Sequence, residues 1–105
     1  MTNTAYIEVP ADITILAGFE YGREIWDEQC AFALCDLSTD YYISLPEWIE
    51  GIAISFIDGL FEHIVAVIGA ENAVERLHMN NEHLEARVKS YLMLYKDEEI
   101  VTYDR

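Results

Sequence analysis

The chain has 105 residues, 52 % of them hydrophobic, with 20 acidic and 6 basic side chains and a formal charge of −14. That length and apolar content suit one compact core in a single domain over residues 1–105, and the charge disfavours direct contact with duplex nucleic acid or with anionic membranes. No apolar run reaches the roughly 18 uninterrupted residues of a spanning helix, since Ile52 to Ile68 is broken by Ser55, Asp58, Glu62 and His63; "MTNTAYIEV" lacks the basic start and long apolar segment of a signal peptide, so a cytoplasmic protein is expected.

"AYIEV" and "ITILA" are β-branched runs on either side of "PAD", which predicts a hairpin of Ala5 to Val9 and Ile13 to Ala17. Gly18 and Gly22 then loosen the chain before a helix. From Arg23 to Leu37, the residues Trp26, Cys30, Ala33, Leu34 and Leu37 keep the spacing of one apolar stripe, with Glu24, Asp27 and Glu28 on the other side. Cys30 and Cys35 fall roughly 140° apart around such a helix, which disfavours a disulfide between them.

"STD" at 38–40 interrupts that helix, "YYISL" at 41–45 reads as a strand, and Pro46 ends it. After a turn at Glu50 and Gly51 comes a second helix with Ile57, Leu60, Phe61, Ile64, Val65 and Ile68 on one stripe and Gly69 as its C′ residue. Ser55 followed by Asp58 has the form of a capping box at its start, so Ser55→Ala would cost about 1 kcal/mol. "VERLHM" at 74–79 predicts a strand, and Asn80 or Asn81 can cap a third helix bearing Leu84, Val88, Tyr91, Leu92 and Tyr95. "EEIVTY" at 98–103 reads as an edge strand or an acidic tail. The order ββαβαβα(β) defines an α/β fold, a small mixed sheet with about three helices packed on it.

Motifs for chemistry are sparse. His63, His78 and His83 fall on three segments and form no i, i+4 metal pair. The five glycines are scattered, with no phosphate loop, and Ser55 lies between Ile54 and Phe56 rather than in a G-x-S-x-G elbow. Twenty carboxylates single out no acid–base pair. An enzyme is therefore the least supported class, and neither a catalytic residue, a cofactor nor a metal is expected.

The stretch "YYISLPEWIEGIAISFIDGLFEHIVAVIG" resembles the central strand, turn and helix of STAS-like domains of unknown function, a bacterial and phage-borne set related in fold to anti-sigma-factor antagonists. Ile43, Gly51, Ile52, Ser55, Phe56, Asp58, Leu60 and Phe61 match that set's V-D-F strand and its "v-x-G-I-S-S-S-F-x-D-E-L-F" stretch. "LHMNNEHLEARVKSYL" is similar to the strand, asparagine and helix that follow, so the resemblance covers roughly residues 13–95. It implies a STAS-like fold and a regulatory role. It also implies a partner kinase acting on a serine at this helix start, the place Ser55 holds. The chain departs from the pattern at Ser44, where the family has an acid, at Ala53 and Ile54, where it has serines, and by one extra residue near Trp48.

Two functions follow as expectations. One is a non-enzymatic protein–protein interaction module docking a regulatory ATPase or kinase through Glu47, Trp48, Glu50, Ser55, Asp58 and Glu62, with Trp48 as the aromatic anchor. The alternative is an acidic nucleic-acid mimic of the phage anti-restriction or anti-CRISPR type, occupying the basic groove of a nucleic-acid-binding effector. Glu20, Glu24, Asp27, Glu28, Asp36 and Asp40 would then supply the phosphate-like array. The charge is uneven in a way that suits it: residues 1–75 carry −13 and residues 76–105 carry −1. A homodimer through exposed Trp and Tyr residues is compatible with either.

Overall fold

A computed structural model of the chain describes residues 3–103, and the side chains of residues 3–94. Five short strands and three helices follow in the order β1 (Thr4–Tyr6), β2 (Ile15–Leu16), α1 (Phe19–Ile25), β3 (Tyr41–Ser44), β4 (Gly51–Ile52), α2 (Ile54–Arg76), β5 (Leu77–Met79) and α3 (Glu82–Tyr103). The fold is α/β, with the helices packed on parallel strands.

The expected hairpin does not form. β1 pairs with β3 and β2 with β4, and β5 joins the other side of β3; all three pairings are parallel, so the sheet is not mixed. Residues 4–16 thus run alongside residues 41–52 twice, in register Ala5 with Ile43 and then Leu16 with Ile52. The turn at Pro10 does not reverse the chain into a ladder with itself; the apolar side chains Ala5, Ile7 and Leu16 are buried against the 41–52 segment instead. The predicted turn at Glu50 and Gly51 is in part a strand, because Glu50 and Gly51 both donate to the Thr14 carbonyl.

α1 begins at Phe19, earlier than its apolar stripe suggested, with Gly22 inside it. A π-helical turn over Trp26–Cys30 follows, closed by Ala31 N–H on the Trp26 carbonyl at 2.8 Å. The wider turn changes the phase of the stripe. Trp26, Cys30 and Leu34 reach the core, yet the helix ends before Leu37. Both cysteines are free, Cys30 buried and Cys35 exposed. Burial pushes the Cys30 thiol up to about 12.

α2 supplies the centre of the core with Phe56, Ile57, Leu60, Phe61, Ile64 and Val65. Gly69, at φ 83° and ψ 158°, breaks its helical path; positive φ is costly for any residue with a Cβ. The chain then resumes helix to Arg76, so only Leu77–Met79 of the expected 74–79 strand is extended. α3 continues through residues 98–103, where an edge strand or tail was expected. Its cap is Asn81, whose side chain accepts the Leu84 amide at 3.0 Å. Asn80 does something else: its amide both accepts from Leu45 N–H (2.9 Å) and donates to Leu45 C=O (2.8 Å), extending the β3–β5 ladder past the last β5 residue. Glu85 reaches back to the Met79 amide at 2.6 Å. Burial raises its carboxyl, but that bond and Lys89 outweigh it and hold the group below the usual glutamate range.

Tyr41 is fully buried, and its hydroxyl donates to the Ala73 carbonyl at 2.6 Å, tying β3 to the last turns of α2. Tyr41→Phe leaves that carbonyl without its donor in the core and is expected to lower stability by about 1–2 kcal/mol, read from urea denaturation.

Candidate partner-binding site

The helix start is built differently from the capping box read in the sequence. Ala53, in extended conformation, is the N-cap. Its carbonyl accepts from both Phe56 and Ile57, and its own amide donates to the Leu16 carbonyl. Ser55 is therefore the second residue of α2, and its hydroxyl accepts the Gly18 amide at 2.9 Å, joining α2 to the chain just before α1. Asp58 does not reach back to the cap; it accepts the Tyr91 hydroxyl at 2.8 Å from α3. No side chain caps this helix, and it starts two residues before the expected Ser55 because the hydrogen bonds of β4 carry the chain into it at Ala53.

Ser55 is exposed, as is its hydrogen bond, so water can replace the lost acceptor. Ser55→Ala is expected to cost about 0.5–1 kcal/mol. Ser55→Asp keeps an acceptor for Gly18 and places a negative charge in the first turn of a long helix, where the dipole favours it. Its melting temperature should stay within a few degrees of the wild type. A larger fall would mean that a charge is not accommodated there.

Glu47, Trp48 and Glu50 lie in the β3–β4 loop, which packs on the β1–β2 connection. Ile49 is buried beneath it, and the Trp48 indole N–H donates to the Pro10 carbonyl at 3.2 Å while 38 % of the residue stays exposed. Glu47 and Glu50 are exposed. Glu62, farther along α2, pairs with Arg23 of α1 at 3.0 Å, both about half exposed. The six predicted contact residues thus divide: Trp48, Glu50 and Ser55 are held by residues 10–18, Asp58 and Glu62 are engaged by α3 and α1, and Glu47 is exposed in the loop.

The predicted acidic face also divides. Glu20, Glu24, Asp27 and Glu28 are exposed and follow i, i+4, i+7, i+8 spacing along α1 and the turn after it. Asp36 and Asp40 sit by the start of β3, where the Asn3 side-chain amide donates to both of their main-chain carbonyls. Asp36 accepts from the Ser38 hydroxyl and amide, which hold its carboxyl below the usual aspartate range. Asp40 pairs with His78 at 3.1 Å.

Each histidine has a local setting: His63 stacks on Trp26 at 5.2 Å, His78 stacks on Tyr42 at 4.7 Å, and His83 lines a groove beside α3. Among the described residues no three His, Cys, Asp or Glu side chains are placed to share a metal ion, and no helix is long and apolar enough to cross a membrane. Two surfaces were not singled out in the sequence. One is the outer face of the β1–β3–β5 sheet, with Tyr42, His78 and a 73 % exposed Tyr6. The alternation of "YYIS" could have marked Tyr42 as outward once Tyr41 is taken as core. The other is the groove at His83, formed only when the start of α2 meets α3.

No family model matches the chain, and neither a curated protein nor a solved structure matches it.

Proposed function

We propose that this protein is a non-enzymatic regulatory module of STAS-like fold that acts in the cytoplasm and binds a regulatory ATPase or kinase through the surface around Trp48 and Ser55. The observation that supports this reading is the fixing of both exposed side chains by the same segment, Trp48 through the Pro10 carbonyl and Ser55 through the Gly18 amide. An aromatic side chain already held in place loses little freedom on docking, which is how a small interface gains affinity. The STAS-like resemblance is a premise of this reading, and the α/β arrangement is compatible with it.

A second reading rests on the exposed row Glu20, Glu24, Asp27 and Glu28, in which no member is engaged by the neighbouring Arg23, whose guanidinium is turned to Glu62. That row could stand in for nucleic-acid phosphates against a basic effector.

Parallel affinity capture from a bacterial lysate, with wild type, Trp48→Ala and the triple variant Glu24→Gln, Asp27→Gln, Glu28→Gln, separates the two. A protein retained through a salt gradient, lost with Trp48→Ala and kept by the triple variant is the expected result. Basic proteins that elute at low salt and are lost only with the triple variant would establish the mimic instead, because exposed charge attraction is screened over about 8 Å at physiological ionic strength. Captured proteins indifferent to both variants would overturn both.

A further inference from the structure

A groove lies between the start of α2 and one side of α3. It has a volume of about 460 Å³, within the range of small-molecule sites. Its walls are largely apolar: Ile54, 47 % exposed, from α2, and Ala86, Tyr91 and Leu94, the last 61 % exposed, from α3. Among the described residues, His83, Arg87 and Ser90 supply its polar groups and no carboxylate lines it. On a chain with twenty acids and six bases, a groove whose described lining holds a guanidinium and no carboxylate is a local reversal of charge.

Arg87 is also distinctive among the cations of the described residues. Arg23 pairs with Glu62 and Lys89 with Glu85, while the Arg76 guanidinium donates to the Leu37 carbonyl and acts on Asp36. Arg87, among the described residues, has no carboxylate partner. Its Nε donates to the Ile52 carbonyl at 2.6 Å, which anchors the guanidinium at the end of β4. A guanidinium presents five donors in a planar fork, so this bond leaves donors free for an anion in the geometry a carboxylate accepts. The Tyr91 ring is fixed in turn, because its hydroxyl donates to Asp58. The cation and the apolar wall are therefore both set in place.

We propose that this groove binds a small amphipathic monoanion, a free molecule with an apolar body and a single carboxylate-like head, with the head on Arg87 and the body along Ile54, Tyr91 and Leu94. The site is separate from the Trp48 surface and does not depend on the regulatory reading.

The test uses the full chain and two probes of similar shape, 1-anilinonaphthalene-8-sulfonate, which carries an anionic head, and the neutral N-phenyl-1-naphthylamine, titrated by fluorescence with octanoate as competitor. One saturable site for the anionic probe is expected, emptied by octanoate and not by octan-1-ol at equal concentration. Arg87→Gln should weaken the anionic probe about tenfold, the loss of one charge-assisted contact, and leave the neutral probe unchanged. Ala86→Trp fills the groove from an exposed helical position and should abolish binding with Arg87 intact. The proposal is overturned by the lack of a saturable site, by equal affinity for the two probes, by displacement with octan-1-ol as readily as with octanoate, by an affinity for the anionic probe that Arg87→Gln leaves unchanged, or by binding that survives Ala86→Trp. Should Arg87→Gln fail to fold, the matched probes and Ala86→Trp still decide the matter.

Discussion

Gly22→Ala and Gly59→Ala are each expected to destabilise the protein by about 3 kcal/mol, even though alanine is favoured over glycine within a helix by about 1 kcal/mol. The reason is the crossing of α1 on α2. A Cβ on Gly22 would overlap the Phe56 carbonyl oxygen and stand 2.7 Å from the Leu60 nitrogen. One on Gly59 would overlap the Phe19 carbonyl oxygen and stand 3.0 Å from the Arg23 nitrogen. The obstacles are backbone atoms, which cannot swing aside as a side-chain tip can, so the two helices must separate and give up packing around Phe56 and Leu60. At roughly 4–8 °C per kcal/mol for a domain of this size, each substitution should lower the melting temperature by roughly 12–24 °C. The double variant should lose much less than the sum, because helices already forced apart admit the second methyl at little cost. Gly69→Ala is the control: nothing lies within 4 Å of its added Cβ and only the positive φ opposes it, so about 1 kcal/mol is expected. Losses at Gly22 and Gly59 no larger than that would mean that the backbones do not meet at this crossing.

That crossing also shows what a sequence conceals. The glycine at 22 reads as a loose joint, since nothing within reach along the chain requires it; its reason lies 37 residues away at Gly59. The apolar stripes were legible because they are local. Trp26, Cys30 and Leu34, then Ile57, Leu60, Phe61, Ile64 and Val65, then Leu84, Val88 and Leu92 are buried as their spacing implies, while Ala33, Leu37, Ile68 and Tyr91 are partly buried. Pairing of the strands was not legible, because a turn at Pro10 favours the nearest run as partner, whereas the true partner of residues 4–16 is the segment 41–52. β4 is only two residues long and is defined by its pairing with β2 rather than by its composition. At the candidate site, exposure of Ser55 and Trp48 could be expected from the sequence. What holds them could not, since Pro10 and Gly18 act through backbone groups that carry no side-chain signal. The Arg87 groove is likewise a product of α2 meeting α3.

A second large effect is expected from alkaline pH, and it comes from the core rather than the surface. Cys30 is fully buried, and burial pushes its thiol up from 9.0 to about 12. A group whose proton is held more tightly in the folded chain than in the unfolded one contributes its full stabilisation below the unfolded value. That contribution is lost as pH rises towards the folded value. The window for Cys30 therefore runs from about pH 9 to about pH 12. Within it each unit of pH weakens the fold by about 1.4 kcal/mol, or roughly 2–3 kcal/mol by pH 11. Tyr41 acts in the same direction above pH 10, since burial raises its phenol as well. Against a total of about 5–15 kcal/mol for a domain of this kind, these losses are enough to bring the protein towards unfolding. Urea denaturation at pH 7, 9, 10 and 11 should show the decline, and Cys30→Ala should decline less by the Cys30 share. The comparison isolates the thiol because the growing negative charge and the remaining tyrosines are common to both chains. A thiol reagent supplies the structural counterpart: at pH 8 Cys35 should react at once and Cys30 only as fast as the protein opens. Identical pH profiles for wild type and Cys30→Ala, together with prompt reaction of both thiols, would place Cys30 at the surface and undo the π-turn packing that puts it in the core.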